Sequence, residues 1–581
     1  MDGRLHRIGW IILALAVFGL PAATANTYYL YVGASVGLLT IVTAGLNVLA
    51  GFTGQISLGH AGFFAIGAYA AGILTIRAGW SPWMATPVAI AAAALVGVVV
   101  AGAALRVSGP YLAMVTIAFG IIVESILVEW VALTGGPGGI FNIPKPTLSR
   151  SYLLIMATAA LALWLVANLR RSPWGRAFLA IRASEVAAES LGLSSYFVRI
   201  TAFTLSAGFA GAAGALFAFL NGYISPDSFT LQSSILYLLA LLFGGMGYVA
   251  GPVVGSLVLT LLPEFLTSLV DYRLILYGLL LLLSIYWLPR GVVGALAGKH
   301  RSRFAVSSGP GGPVNPPPAA RRAPAAAGSL LEVAGLGIAF GGVTALSEVT
   351  VEVPARGIHA IIGPNGAGKT TLLNVLSGYY APQQGTVRLD RHAIAGRPPY
   401  AIARRGVART FQTAQLFGDL TVAENVAVGI AGRELGNVVT AMLGTPRVRR
   451  RELELARQAL ELLQSSGLGE WADRPADALP AGLRRRLEIV RALATRPKLL
   501  LLDEPAAGLG PTEIRELDAE LTALRDRGGP AIILVEHHMD LVMAISDRIT
   551  VLDYGRVIAE GPPEEVRRHP GVIEAYLGAT G

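Results

Sequence analysis

The chain runs to 581 residues, 53% hydrophobic and 14% charged, against about 25% charged for an ordinary soluble domain, so it is a membrane protein of two or more domains. It has no cysteine, which excludes disulfides, thiolate metal sites and cysteine nucleophiles. The net charge of +9 fits lysine and arginine at the cytoplasmic face of a membrane, and no basic stripe is interleaved with aromatics, so nucleic acid is not an expected partner.

The apolar bias belongs to the first half. Stretches of spanning length fall near 8–25, 28–50, 56–76, 84–105, 110–133, 151–169, 201–223, 233–247, 249–268 and 273–289. The first also has the look of a signal peptide, but spans follow it at once, so it is read as a span. The pair over 233–268 is short and broken by "GGMGYVAG", so eight to ten spans are expected. Arg4 and Arg7, then Arg170, Arg171, Arg176, Arg182 and Arg199, then Arg290, Lys299, Arg301 and Arg303 mark three cytoplasmic segments. Even numbers of crossings separate them, six and then four, so ten spans are self-consistent. Gln55, Ser57 and His60 lie at a glycine-broken helix start, and Glu124 and Glu129 fall on the fifth span; polar groups at that depth are candidate functional residues.

Residues 1–297 are therefore read as a membrane domain and 298–328 as a linker. The linker's "SSGPGGPVNPPPAARRAPAAAGS" has no apolar periodicity and cannot build a core. Residues 329–581 alternate short buried strands with helical stretches, which predicts a mostly parallel sheet covered on both faces.

Within that second domain, "GPNGAGKT" spans Gly363 to Thr370, between the strand "HAII" and the helix "TLLNVLSG". The glycines let backbone amides turn around phosphate oxygens, and the following helix adds its positive end. Gly363, Asn365, Gly366, Ala367, Gly368, Lys369, Thr370 and Thr371 are the candidate phosphate-binding residues. Lys369 supplies a point charge, and the Thr370 hydroxyl is placed for Mg²⁺. In "LLLLDEP", Asp503 can hold Mg²⁺ and Glu504 can act as general base. Gln412 in "RTFQTAQLF" can reach Mg²⁺ and the attacking water. His537 in "ILVEHHMD" can reach the γ-phosphate; its distance from the strand end favours it over His538.

Taken together, residues 330–581 resemble the ATPase subunit of ABC transporters. The phosphate loop, the Gln412 loop, a signature, Asp503–Glu504 and the His537 switch occur in the family's order. "FQTAQLFGDLTVAENV", "LDEPAAGLGPTE" and "VIEAYLG" resemble Liv-type branched-chain amino acid importers in particular. By this resemblance Phe340 stacks on adenine, such a contact being worth roughly 1–3 kcal/mol. "AGFTGQISLGHAGFFAIGAYAAG", "LTGGPGGIFNIP", "LFGGMGYVAGPVVGSLVL" and "GRAFLAIRASEVAAESLGLS" resemble the permease of the same importers. The last would be the coupling helix that docks on the ATPase, with Glu185 and Gly192 in its E…G pattern. The fold implied is a polytopic α-helical membrane domain joined to an α/β P-loop NTPase.

The resemblance implies ATP and Mg²⁺ as cofactors and ATP hydrolysis coupled to import. It also implies a bacterial inner membrane with the ATPase in the cytoplasm, a second permease, a second ATPase and an external solute-binding protein, all embedded in lipid. The solute is a branched-chain or related amino acid; the alternative is urea or a short amide. A nucleotide-gated channel or regulator is disfavoured by Glu504 and His537, and an exporter by the span pattern. The signature itself is degenerate. Where the family has Leu-Ser-Gly-Gly-Gln, this chain has Leu479, Pro480, Ala481, Gly482 and Leu483, before a helix expected to begin near Arg484. Gly510 also stands where the family prefers a polar residue. The expectation is an asymmetric assembly with a different partner ATPase.

Overall fold

A computed structural model of the chain describes residues 19, 26–105, 107, 109–265, 272–296, 329–432 and 434–577. The span expected over 8–25 and the linker expected over 298–328 lie outside these residues, Gly19 apart. The chain divides into two compact units. The first gathers Met1–Phe178, Tyr196–His300 and a short stretch from much later in the chain, Val438–Thr445. The second gathers Leu179–Ser195 with Arg301–Asn437 and Pro446–Gly581.

The first unit is helical. Its helices of ten residues or more are α1 (Thr27–Leu46), α2 (His60–Arg77), α3 (Pro82–Ala104), α4 (Pro110–Glu129), α5 (Leu148–Arg170), α6 (Pro173–Ala183), which ends just beyond it, α8 (Ser195–Asn221), α9 (Leu231–Gly244), α10 (Gly251–Phe265) and α11 (Arg273–Trp287). Among the described residues six segments are long and apolar enough to span a bilayer: Thr27–Phe52, Pro82–Ala104, Pro110–Glu129, Leu148–Arg170, Ser195–Asn221 and Pro226–Gly244. The others at expected positions are shorter. Among the described residues α10 and α11 have 15 residues each, about 22 Å of helix against about 30 Å of hydrocarbon.

The helices pack through small residues, as the density of glycine and alanine implies. A Cβ on Gly67 would lie 2.1 Å from the Gly211 carbonyl oxygen, and one on Gly214 would lie 1.9 Å from that of Phe64. The backbones of α2 and α8 therefore touch. The late stretch Val438–Thr445 lies against α5, where the Asn168 side-chain amide donates to the Met442 carbonyl at 3.0 Å.

The break expected beside His60 is present. α1 continues as a π-helical turn over Asn47–Phe52, and the chain then runs irregularly to His60. Asn47 donates to the Tyr248 carbonyl (2.9 Å) and accepts from the Gly247 amide (2.8 Å), tying this turn to the "GGMGYVAG" corner. Leu58 and Ala61 donate their backbone N–H to Thr116 and Ser234. His60 is fully buried between Ser57 (3.0 Å) and Ser206 (2.7 Å). These polar residues satisfy an interrupted backbone and join helices, as buried polar groups must. Glu124 is half-buried and Glu129 exposed.

The second unit holds two sheets. The larger has the order β10-β9-β3-β8-β7-β6, where β3 is Ile358–Ile362, β6 Val407–Arg409, β7 Leu499–Asp503, β8 Ala531–Val535, β9 Arg548–Asp553 and β10 Arg556–Gly561. All its pairings are parallel except β9 with β10. Its strands alternate between two cores. Leu499, Leu501, Ile533 and Val535 join Leu372 and Leu376 of α12 (Lys369–Leu376) on one face. Leu500, Leu502, Ile532 and Leu534 join Ile489, Leu517 and Leu541 on the other. Those last three belong to α17 (Ala481–Ala494), α18 (Pro511–Asp526) and α19 (Met539–Ile545), which follow α13 (Pro399–Arg404), α14 (Val422–Ala431), α15 (Val438–Met442) and α16 (Pro446–Ser465) in the chain.

A smaller antiparallel sheet, β2-β1-β4-β5, was not expected; its strands are Ser329–Phe340, Val343–Pro354, Gln384–Leu389 and His392–Ala393 in the chain order β1, β2, β4, β5. The first core cluster fills the space beneath it. The expected coupling helix is two helices, because Ser184 caps α7 (Glu185–Ser190) by accepting from the Ala187 amide and so ends α6.

Gly67→Leu forces α2 away from α8 and lowers the melting temperature and membrane yield of the purified chain, since overpacking costs about 1–3 kcal/mol or more. Gly120→Ala, where a Cβ meets only the Gly59 Cα at 3.8 Å, leaves both unchanged.

Candidate functional site

Four parallel strands end side by side, and the loops after them carry the predicted residues. In an open α/β sheet the crevice beyond the strand carboxyl ends is the binding position. β3 runs into Gly363, β6 toward Gln412, β7 into Asp503–Glu504 and β8 toward His537. In register, Ile361 and Asp503 both flank Val535, and Arg409 flanks Leu501.

In the phosphate loop Gly366 and Gly368 adopt φ of +84° and +99°, values open to glycine. A Cβ on Gly368 would also lie 2.6 Å from the Ala345 carbonyl oxygen. Asn365, Gly366 and Thr370 are exposed, Thr371 is half-buried and Ala367 is buried. α12 starts at Lys369 with no side chain capping it, so its first amides are open to an anion. The buried Lys369 ammonium donates to the carbonyls of Gly363 (2.7 Å) and Pro364 (2.9 Å). Burial lowers its pKa, while Glu504 and Asp503 pull it back up.

Glu504 is where the loops converge. Its backbone is strained, with φ at +46°, and its amide donates to the Val535 carbonyl at 2.9 Å. Gln412 Nε2 donates to one carboxylate oxygen at 2.9 Å, and His537 Nε2 lies 3.0 Å from the other. His538 instead precedes α19 as its N-cap, so the ring that reaches Glu504 is His537. Asp503 is buried and accepts from Arg409 Nη2 on Oδ2 at 2.9 Å. Phe340 sits apart from this cluster at the end of β1, 44% exposed, with its ring edge-on to Tyr380 at 5.0 Å. Gln383 fixes the preceding residue, accepting from the Ala339 amide and donating to its carbonyl.

Sequence reasoning missed four charged residues that hold these loops. Arg485, Glu488 and Arg491 recur every three residues on the buried face of α17. Arg485 donates to the Asp503 carbonyl (2.9 Å), to the carbonyls of Phe411 and Glu504, and to Glu488 (2.8 Å). Glu488 accepts the amides of Phe411 (3.2 Å) and Gln415 (3.3 Å). Arg491 donates to the Gln415 carbonyl at 2.6 Å and stacks over Phe417, and burial lowers its pKa to about 10. The fourth, Glu536, is buried and accepts the amides of Ala506 and His537. In "GLRRRLEIVRALA" the signal was the period itself, three charges interleaved with Leu487 and Val490 on one face.

The signature helix begins at Ala481, three residues earlier than expected, because Pro480 serves as its N-cap with a φ of −56° that suits a helix entrance. Proline offers no cap hydroxyl, and no side chain caps this end. Leu483, where the family has glutamine, packs with the apolar cluster of Leu479, Leu487 and Val490. A Cβ on Gly482 would meet the Glu513 carboxylate at 2.0 Å, the end of an exposed side chain that would have to turn away.

Replacing Arg485 with methionine leaves Glu488 buried without its partner and costs roughly 3–5 kcal/mol, read as a fall in melting temperature. The double change Arg485→Met with Glu488→Leu recovers only part of that stability, because the Phe411 and Gln415 amides lose their acceptor. It does not recover ATPase activity, because the Gln412 loop has lost its anchor.

Comparison with known proteins follows the same division. Residues 28–285 match the family described as the branched-chain amino acid transport system permease component. Residues 346–507 match the ABC transporter family, and 556–581 match the branched-chain amino acid ATP-binding cassette transporter family. The high-affinity branched-chain amino acid transport ATP-binding protein BraF of Pseudomonas aeruginosa is 45% identical over 249 residues, covering 43% of this chain and 98% of BraF. The permease protein LivM of Escherichia coli K12 is 37% identical over 284 residues, covering 44% of this chain and 67% of LivM. A nucleotide-free ATP-binding cassette from an ABC transporter, solved by crystallography, is 30% identical, with a TM-score of 0.38 over 43% of this chain and 99% of that one.

Proposed function

Because the chain belongs to the family of branched-chain amino acid ABC transporters, with permease and ATP-binding portions on one polypeptide, we propose that it imports branched-chain or related amino acids through ATP hydrolysis. The observation that carries this reading is the Glu504 carboxylate, held between Gln412 and His537 beside the phosphate loop. The working parts are taken as 1–297 for the permease, 298–328 for the linker and 329–581 for the ATPase. The assembly sits in the bacterial inner membrane with its ATPase in the cytoplasm. It is completed by a second permease, a second ATPase and a solute-binding protein.

In this reading the residues of the chain act as follows. Phe340 stacks on adenine, with Gln383 and Tyr380 fixing its position. Loop amides from Asn365 to Thr371 receive phosphate oxygens, and Lys369 exchanges its carbonyl partners for them. Thr370, Gln412 and Asp503 hold Mg²⁺. They fit it, since Mg²⁺ takes oxygen ligands: the Thr370 hydroxyl is exposed, and Arg409 engages only Oδ2 of Asp503. When bound, the ion offsets charge on the phosphates. Glu504 takes the proton of the attacking water, and His537 orients it.

The absent signature serine costs the shared site one hydrogen bond to a charged group, about 1.5–3 kcal/mol. The site built from this chain's loop and a partner's signature is therefore the fast one. Glu504→Gln lowers steady-state ATP turnover of the assembled complex by roughly 100-fold or more. Pro480→Ser restores a phosphate contact and raises turnover a few-fold. Leu483→Gln removes a packed side chain and does not help. An equal loss from the matching glutamate change in the partner ATPase contradicts the asymmetry. Uptake of labelled leucine, and not of labelled urea, by reconstituted vesicles supplied with ATP separates amino acids from amides.

A further inference from the structure

The second unit carries one chain of contacts that the mechanism above does not use. It begins on the segment Glu185–Gly192. Tyr379 donates its hydroxyl to the Val186 carbonyl at 2.7 Å. Arg404 Nε donates to the Gly192 carbonyl at 2.9 Å. A Cβ on Gly432 would lie 2.2 Å from the Leu191 carbonyl oxygen. The segment is thus contacted through backbone carbonyls at both ends of its helix, Val186 in the first turn and Leu191 and Gly192 just past the last, where carbonyls are short of partners. Burial raises the pKa of the Tyr379 hydroxyl, which keeps it a donor.

Behind the hydroxyl lies Arg409. Its guanidinium is 5.7 Å from the centre of the Tyr379 ring and 5.2 Å from that of Phe411, and those two rings meet edge to face at 6.1 Å. Nη1 donates to Asn374 (2.6 Å) and Ser377 (2.7 Å) at the end of α12. Nη2 donates to Asp503 Oδ2 at 2.9 Å. The ion pair is 3% exposed on both sides, and Nε has no partner among the described residues. A buried pair with an unsatisfied N–H is a poor source of stability. It is a good way to fix a carboxylate, because the hydrogen bonds behind a metal ligand set its orientation and affinity.

We propose that Arg409 is a positioning residue, fixing one oxygen of Asp503 so that the other meets Mg²⁺, and that Tyr379 makes this orientation depend on the seating of Glu185–Gly192. The inference rests on the reading of Asp503 as a Mg²⁺ ligand given above. Docking and metal binding are then coupled, and each must strengthen the other by the same factor.

The test uses the complete complex with its partner subunits and solute-binding protein, and Mn²⁺ as a spin probe for the metal position. Arg409→Lys keeps the charge but loses the fork that spans Asn374, Ser377 and Asp503. It raises the Mn²⁺ concentration for half-saturation of the nucleotide-bound complex by about 10- to 100-fold. Nucleotide binding in EDTA is unchanged. Tyr379→Phe removes one hydroxyl and leaves the ring on Arg409. Basal hydrolysis stays within about twofold, while stimulation by loaded binding protein falls by about fivefold or more. Mn²⁺ affinity within twofold of wild type in Arg409→Lys, or full stimulation in Tyr379→Phe, overturns the proposal. If Arg409→Lys does not assemble, Tyr379→Phe decides alone. Glu504→Gln is the control. If it still hydrolyses ATP, the reading of the site has failed; if it is dead while both variants behave as wild type, only this inference has.

Discussion

Asp503 pairs with Val535 across a parallel ladder, and Val535 in turn pairs with Ile361 and accepts the Glu504 amide. A shift of either strand by one residue would turn Asp503 to the other face of the sheet and carry Glu504 out of reach of Gln412 and His537. The register is fixed because β3, β7 and β8 are buried on both faces, with alternate residues committed to two different cores. The precision of the site is therefore a property of hydrophobic packing. Residues such as Leu500, Leu501, Ile532 and Ile533 carry no chemistry, yet they decide where the carboxylates stand.

The loops themselves are held by buried charge. Arg485, Glu488 and Arg491 cost desolvation free energy, and apolar residues at those positions would fill the space at less cost. What apolar residues cannot do is bind backbone. Glu488 takes two amides and Arg491 one carbonyl from the Phe411–Phe417 loop, and Arg485 takes carbonyls on both sides of Glu504. One helix thus spans the signature at its start and the Gln412 loop along its side. Under the proposed mechanism a tilt of α17 would move both, and a contact made at the signature would reach Gln412.

The parts of this site that were legible in the sequence are those whose chemistry is local. A glycine loop between a strand and a helix, or two carboxylates leaving a run of leucines, can be read within ten residues. So could the broken helix beside His60, since glycines and polar groups at membrane depth are anomalous by themselves. What could not be read depends on distant partners. Arg485, Glu488 and Arg491 look like the wet side of an amphipathic helix until the loop that needs them is placed beside them. Arg409 is one more arginine before "TFQ" until Asp503, 94 residues away, is seen to accept its N–H. The antiparallel sheet of β1, β2, β4 and β5 escaped because its strands are bulged, with register shifts between Val333 and Leu336 and between Leu336 and Ile338 that blur the period of two. The start of α17 at Ala481 rather than near Arg484 escaped because no capping side chain marks that entrance.

The degenerate signature gains a physical account from the same packing. Leu483 faces Leu479, Leu487 and Val490, so the loss of a glutamine there is a gain of core. Gly482 lies against the exposed Glu513 carboxylate, which accepts the Gly510 amide at 2.9 Å. Only Pro480 gives up a polar contact without a visible return, and it does so at a helix entrance whose free amides still point outward. Under the proposed pairing with an unlike ATPase, this surface would keep its shape for the partner while offering one polar contact fewer to the site it completes.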